Sequence, residues 1–173
     1  MAASPRFKSE WKEKKKMMKQ IDPKMLELLA LPHPDQIGVV VRDVQKAIEA
    51  YTKIFQWGPF EIVEREYTES ASTYRGRPGN FKYRIGYVQL GPIQLEMIQP
   101  LRGKTIYDEF LETRGEGFHH FGFLIDRIEE RTAAMKQMGI EVLQSGKRPG
   151  RKYAYMDTEP LIGIMIELRQ KTD

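Results

Sequence analysis

Two glutamates sit where the chain otherwise spells apolar strands: Glu96 in Gln94-Leu95-Glu96-Met97-Ile98, and Glu167 in Ile164-Met165-Ile166-Glu167-Leu168. An ionised carboxylate buried in such a strand is costly unless it is paired or binds a metal. Two further polar residues, Gln36 and His120, each head an apolar-Gly-apolar segment, Gln36-Ile37-Gly38-Val39 and His120-Phe121-Gly122-Phe123. One imidazole, one amide oxygen and two carboxylates make a hard, oxygen-rich donor set. It suits Mg²⁺, Mn²⁺, Co²⁺, Ni²⁺ or Zn²⁺ with positions left open for water or substrate, and does not suit a closed structural zinc. The plainer readings are carboxylates facing water at a sheet edge and a Gln36 amide that touches a ligand without a metal. Zero cysteines exclude thiolate nucleophiles, disulfides and every Cys-based zinc or iron–sulfur site.

The elements that must position these residues form a repeat. Each polar-headed strand is followed by an acidic turn and a helical pattern, Val44 to Phe55 in the first copy and Ile128 to Met138 in the second. Gly58 and Gly139 are the expected helix stops. Strand-like runs follow: Glu61 to Tyr67, Tyr83 to Leu90 and Ile93 to Ile98, then Glu141 to Gln144, Lys152 to Met156 and Ile162 to Leu168. The reading is α+β: two βαβββ modules, about 35–100 and 118–170, forming a curved eight-stranded mixed sheet or half-open barrel within a domain spanning 33–173. One such module leaves a sheet face bare, so the two must pack together. The insertion Glu69 to Phe81 reads as a mobile loop over the first half. His119 and His120 are neighbours on one strand, so they are expected to face opposite ways, with only His120 aimed at the site.

Residues 1–32 form an N-terminal extension, read as a solvated helix over Ser9 to Gln20 and a short apolar helix that docks after Pro23. Positions 1–24 carry eight Lys or Arg against three Asp or Glu, a net +5. The chain's formal charge is +4, so the remaining 149 residues carry −1. Basicity confined to an extension without interleaved aromatics argues against nucleic-acid binding. No apolar run approaches the ~18–20 residues of a membrane span, and no secretory signal pattern is present, so the expectation is a cytoplasmic protein without membrane partners.

In Leu95-Glu96-Met97-Ile98-Gln99-Pro100-Leu101, Gly115-Glu116-Gly117-Phe118-His119-His120 and Gly163-Ile164-Met165-Ile166-Glu167-Leu168, the sequence resembles the vicinal oxygen chelate superfamily, most closely its methylmalonyl-CoA epimerases. The resemblance covers about Gln36 to Gln170. It implies Gln36, Glu96, His120 and Glu167 as ligands of a divalent metal, Glu167 and Glu96 as catalytic groups, and a homodimer. The implied reaction is isomerisation or epimerisation by proton abstraction α to a carbonyl, on a small-molecule substrate such as a CoA thioester. Epimerases of the family usually have His where this chain has Gln36. One type of glyoxalase I has the set Gln, Glu, His, Glu, which keeps a lyase acting on a hemithioacetal as an alternative. Metal-free members that sequester planar antibiotics are a third, which a neutral aromatic cavity would favour. An iron dioxygenase needs a second histidine where Gln36 stands. The strand before Glu96 holds no carboxylate but Tyr83, Arg84 and Tyr87, which with Lys147, Arg148 and Arg151 are the candidate substrate-binding residues.

Overall fold

The computed structural model describes residues 21–173, so the expected helix over 9–20 lies outside the described residues. In chain order the elements are α1 (Pro23–Leu29), β1 (Gln36–Val40), α2 (Val44–Phe55), β2 (Glu61–Tyr67), β3 (Ser72–Tyr74), β4 (Arg77–Pro78), β5 (Phe81–Leu90), β6 (Ile93–Arg102) and α3 (Ile106–Arg114). Then come β7 (Gly117–Leu124), α4 (Ile128–Gln137), β8 (Val142–Arg148), β9 (Arg151–Met156), α5 (Glu159–Ile162) and β10 (Met165–Lys171). All strands join one mixed sheet in the order β2-β5-β6-β1-β7-β10-β9-β8-β3-β4. The two repeats therefore meet along β1 and β7, which run antiparallel at the centre.

The sheet has ten strands rather than eight because the insertion is not a loose loop. Its Arg75 and Gly76 take positive φ, 47° and 75°, as a tight hairpin turn requires. The resulting ribbon crosses to the other repeat, where β3 pairs antiparallel with β8, Ser72 opposite Gly146 and Tyr74 opposite Gln144. Ser72 Oγ bonds the carbonyls of Thr68 and Gly79, and the Arg75 guanidinium forks onto Glu109 at 2.6 and 2.7 Å. An uncovered β8 would present open backbone groups, and the ribbon covers that edge.

The inner face of the curl is packed by Tyr67, Phe81, Tyr83, Ile85, Tyr107, Tyr153 and Tyr155. On the outer face α2 lays Ala47, Ile48 and Tyr51 against Val41 and Met97, while α4 covers Ala154, Met156, Ile166 and Leu168. Helix α2 begins at an Asp43 cap, whose side chain accepts from Lys46 N at 3.1 Å. It ends at Gln56 in the left-handed region rather than at Gly58. Gly139, at φ 74°, does follow the end of α4. Helix α1 docks on α4, where Arg131 donates to the carbonyls of Leu28 and Ala30 and Leu29 and Leu31 join the apolar layer. Among the described residues no helix is long and apolar enough to cross a membrane.

Candidate metal centre

The four central strands, β6, β1, β7 and β10, carry Glu96, Gln36, His120 and Glu167 respectively. All four side chains are buried, at 6%, 2%, 0% and 5% exposure, so neither glutamate is an edge carboxylate facing water. His120 Nε2 lies 3.4 Å from Glu167 Oε2 and 3.6 Å from Glu96 Oε2, and the ligand atoms of the three residues fall within 4.8 Å of one another.

The repeat makes this packing possible. Across the β1–β7 seam Gln36 pairs with Gly122 and Gly38 with His120, so each repeat's glycine leaves room for the other repeat's polar residue. Each glutamate in turn has a tyrosine opposite it on the neighbouring antiparallel strand, Tyr87 for Glu96 and Tyr155 for Glu167.

His119 departs from the alternation expected of a strand. Gly38 pairs with His120 but Val39 pairs with Phe118, so β7 holds one extra residue and bulges at His119. The bulge turns both rings to one side, with their Nδ1 atoms 3.1 Å apart. His119 packs edge-on to Phe110, tilted against Tyr107, and is held well below the usual histidine range by burial, with smaller contributions from His120 and Arg114.

The two carboxylates occupy different electrostatic settings. Burial, then the charge of Glu167, push Glu96 up to about 7 against the opposing pull of His120 and Arg169. Burial also raises Glu167, but the His120 ring 3.4 Å away, with Arg169 and Tyr155, outweighs it and leaves it below its ordinary value.

Gln36 Oε1, Glu96 Oε2, His120 Nε2 and Glu167 Oε2 are all buried without a hydrogen-bond partner. The Gln36 amide nitrogen is engaged by Gln94 Oε1 at 2.8 Å. Four orphaned lone-pair atoms, two of them on carboxylates, are what a bound cation would satisfy, and the donor set fits a divalent ion.

Gln36, Glu96 and Glu167 face a cavity of about 190 Å³ that Tyr83, Tyr87, Arg148 and Arg151 also line. Arg84 does not reach it and pairs instead with Glu64 at 2.7 Å. Lys147 borders a separate groove of about 880 Å³ between the ribbon, β8 and α4. The structure adds residues that the sequence reading passed over. Arg169 is buried, bonded to Asp35 at 2.6 Å and 3.5 Å from Glu167 Oε2. Arg65 on β2 and the tyrosines at 67, 107, 153 and 155 line the same cavity. Arg169 stands two residues beyond Glu167, so strand alternation alone would have placed it on the same face.

Fold and site together define a paired-module half-barrel whose buried centre can hold a divalent cation. The profile of the Glyoxalase/Bleomycin resistance protein/Dioxygenase superfamily matches residues 35–155, and the chain belongs to that superfamily. An uncharacterized Bacillus subtilis (strain 168) protein, YqjC, is 25% identical over 137 residues, covering 78% of this chain and 89% of the relative. A hypothetical protein of Bacillus halodurans C-125 superimposes with a TM-score of 0.59 at 22% identity, over 82% of this chain and 95% of that one. The Streptomyces coelicolor methylmalonyl-CoA epimerase in complex with 2-nitronate-propionyl-CoA gives 0.60 at 19%, over 83% and 100%. The Mycobacterium tuberculosis methylmalonyl-CoA epimerase gives 0.58 at 17%, over 83% and 90%. At these identities the structural matches establish the fold.

Proposed function

We propose that this chain is a metal-dependent isomerase or epimerase that moves a proton α to the carbonyl of an acyl-CoA or related carboxylic acid. The observation that carries this reading is the quartet of buried, unpartnered acceptors on four adjacent strands. The methylmalonyl-CoA epimerases among its structural neighbours support it. Gln36, Glu96, His120 and Glu167 would hold the ion. A divalent cation supplies Lewis-acid stabilisation of the negative charge that a substrate carbonyl oxygen gains as the α-proton leaves.

The protein's own groups do the rest. Glu96 and Glu167 come from different repeats and approach His120 from two sides, so one can take a proton from a carbon between them and the other can return it. Glu167, on the last strand of the second repeat, is the candidate base, and Glu96, from the first repeat and across His120 from it, is the second carboxyl that can return the proton. The enclosing tyrosines limit water around the developing charge.

The Gln, Glu, His, Glu donor set keeps hemithioacetal isomerisation as the second reading. A cavity walled by four arginines lacks the neutral lining that sequestration of a planar antibiotic would need. Metal content of the purified chain, followed by deuterium uptake from ²H₂O into methylmalonyl-CoA, tests the first reading, with methylglyoxal plus a thiol as the competing assay. Exchange into no acyl-CoA, or no bound metal at any loading, would sink it.

His119 gives a separate expectation. For His120 to offer its Nε2 lone pair to a cation, its ring proton must sit on Nδ1, which faces His119 Nδ1. His119→Leu removes that acceptor and is expected to weaken metal binding roughly 10–100-fold, the usual effect of losing a ligand's supporting hydrogen bond. His119→Gln, whose amide oxygen can accept, should recover part of the loss. Competitive titration with a chromogenic chelator measures both, and wild-type affinity in His119→Leu would remove the supporting role.

A further inference from the structure

Besides the four acceptors, five buried polar atoms lack a partner. His119 Nε2 and Gln144 Nε2 lie away from the cavity, but Arg65 Nε, Tyr153 Oη and Arg169 Nε are donors on residues that all line it. Arg169 and Tyr153 are only 7% and 6% exposed. They are also direct register partners on β10 and β9, so their side chains rise from one face of the sheet. Arg65 lies two residues before Tyr67 on β2, and the Tyr67 ring packs on that of Tyr153 at 5.5 Å. The donors thus close on one region from opposite walls of the curl.

Their protein neighbours leave them unfilled. Asp35 takes one terminal nitrogen of Arg169 at 2.6 Å, and the nearest carboxylate oxygen to its Nε, on Glu167, is 3.5 Å away without a hydrogen bond. Among the described residues Arg65, Arg148 and Arg151 have no ion-pair partner. The lining holds four arginines against Glu61, Glu96 and Glu167. Taken as ionised, it is positive by one charge, and a bound divalent ion would make that three. A neutral carbonyl oxygen could accept one or two of these hydrogens but would leave the excess positive charge uncompensated, whereas an oxyanion accepts from several of them in stronger charge-assisted bonds and neutralises it.

We propose that the cavity contains an oxyanion subsite, formed by Arg65, Tyr153 and Arg169, so that its ligand is an acid bearing a free carboxylate or phosphate separate from the oxygens that meet the acceptor quartet. This deepens the isomerase reading by naming a substrate class, and it excludes a neutral ketone, aldehyde or simple hemithioacetal as the preferred ligand.

Calorimetric titration of the full chain, both chelator-treated and reloaded with Co²⁺, tests it with malonate, its neutral isostere malonamide, and inorganic phosphate. Malonate or phosphate is expected to bind the chelator-treated chain and malonamide not to, with Arg65→Gln weakening the anion at least tenfold while Co²⁺ stoichiometry is unchanged. Tyr153→Phe should weaken it less. Arg169→Lys keeps a charge opposite Asp35, so a folding failure of Arg169→Gln would not stop the test. Tighter phosphate than malonate, lost in Arg65→Gln, identifies a phosphate-bearing ligand; the reverse order identifies a carboxylate. Equal anion binding by wild type, Arg65→Gln and Arg169→Lys overturns the subsite. Anion binding that depends on Arg65 in a chain that never takes up metal would overturn the metal-dependent reading and leave the subsite standing.

Discussion

Glu167→Gln is expected to slow α-proton exchange by roughly 10²–10⁴-fold, the usual contribution of a positioned general base, with the fold retained. The amide keeps the shape of the carboxylate and one oxygen donor but cannot take up a proton. Its companion, Glu96→Gln, should separate function from stability. The Glu96 carboxyl is pushed from its usual 4.5 up to about 7, first by burial and then by the charge of Glu167. A raised value means that the folded chain holds a proton which the unfolded chain has released. The penalty is therefore absent below about pH 4.5, grows as the pH rises, and is complete above about 7. In the metal-free chain Glu96→Gln should accordingly raise the melting temperature at pH 8 and leave it unchanged at pH 4, while weakening metal uptake. Scanning calorimetry and mass-spectrometric exchange measure the two halves. Exchange within twofold of wild type in Glu167→Gln would remove that residue as the base, and a less stable Glu96→Gln chain at pH 8 would contradict two carboxylates crowding one buried site.

What was legible in the sequence was whatever contradicts its own surroundings. Glu96 and Glu167 stood out because a charge inside an apolar strand is a local anomaly, and the structure buries both beside His120. The order of strands and helices followed from the repeat. What stayed hidden depends on partners distant in sequence. The insertion Glu69 to Phe81 reads as a mobile loop because nothing near it specifies that Ser72–Tyr74 will pair with residues 144–146 of the other repeat. Strand alternation placed His119 on the far face, and a single unpaired residue in β7 reversed that. Helix α3 escaped notice although Thr105 and Asp108 form a reciprocal capping box with a readable spacing. Arg65 was unremarkable as one charge in the alternating run Glu64-Arg65-Glu66. Alternation puts it on the face of Tyr67 and puts Glu64, which pairs with Lys82 and Arg84, on the other, but only the curl of the sheet shows which of those faces encloses the cavity.

Gly38→Ala should abolish metal binding even though residue 38 offers no ligand. A Cβ at this position would lie 1.9 Å from His120 Cε1, 2.2 Å from Nδ1 and 2.5 Å from Nε2, so the ring has to leave its place. It has nowhere near to go: His120 is fully buried, with the Tyr155 ring edge-on at 4.9 Å and His119 on its other side. Overpacking of this kind costs about 1–3 kcal/mol or more, so the variant should also melt several degrees lower. The repeat-related Gly122→Ala is the internal comparison. Its Cβ would meet Arg169 Nε and Gln36 Oε1 at 3.0 Å and Gln36 Cβ at 3.1 Å, crowding that a shift of a few tenths of an ångström relieves, so its loss of stability should be smaller. The decisive measurement is the double variant Gly38→Ala/His120→Ala. If the clash with the imidazole causes the damage, removing the ring restores stability above that of Gly38→Ala alone, a coupling of opposite sign to simple additivity, while metal binding stays lost. A double variant that melts lower than Gly38→Ala would show that the glycine serves the backbone of β1 rather than the ring across the seam, and the pairing of each repeat's glycine with the other repeat's polar residue would lose its functional meaning.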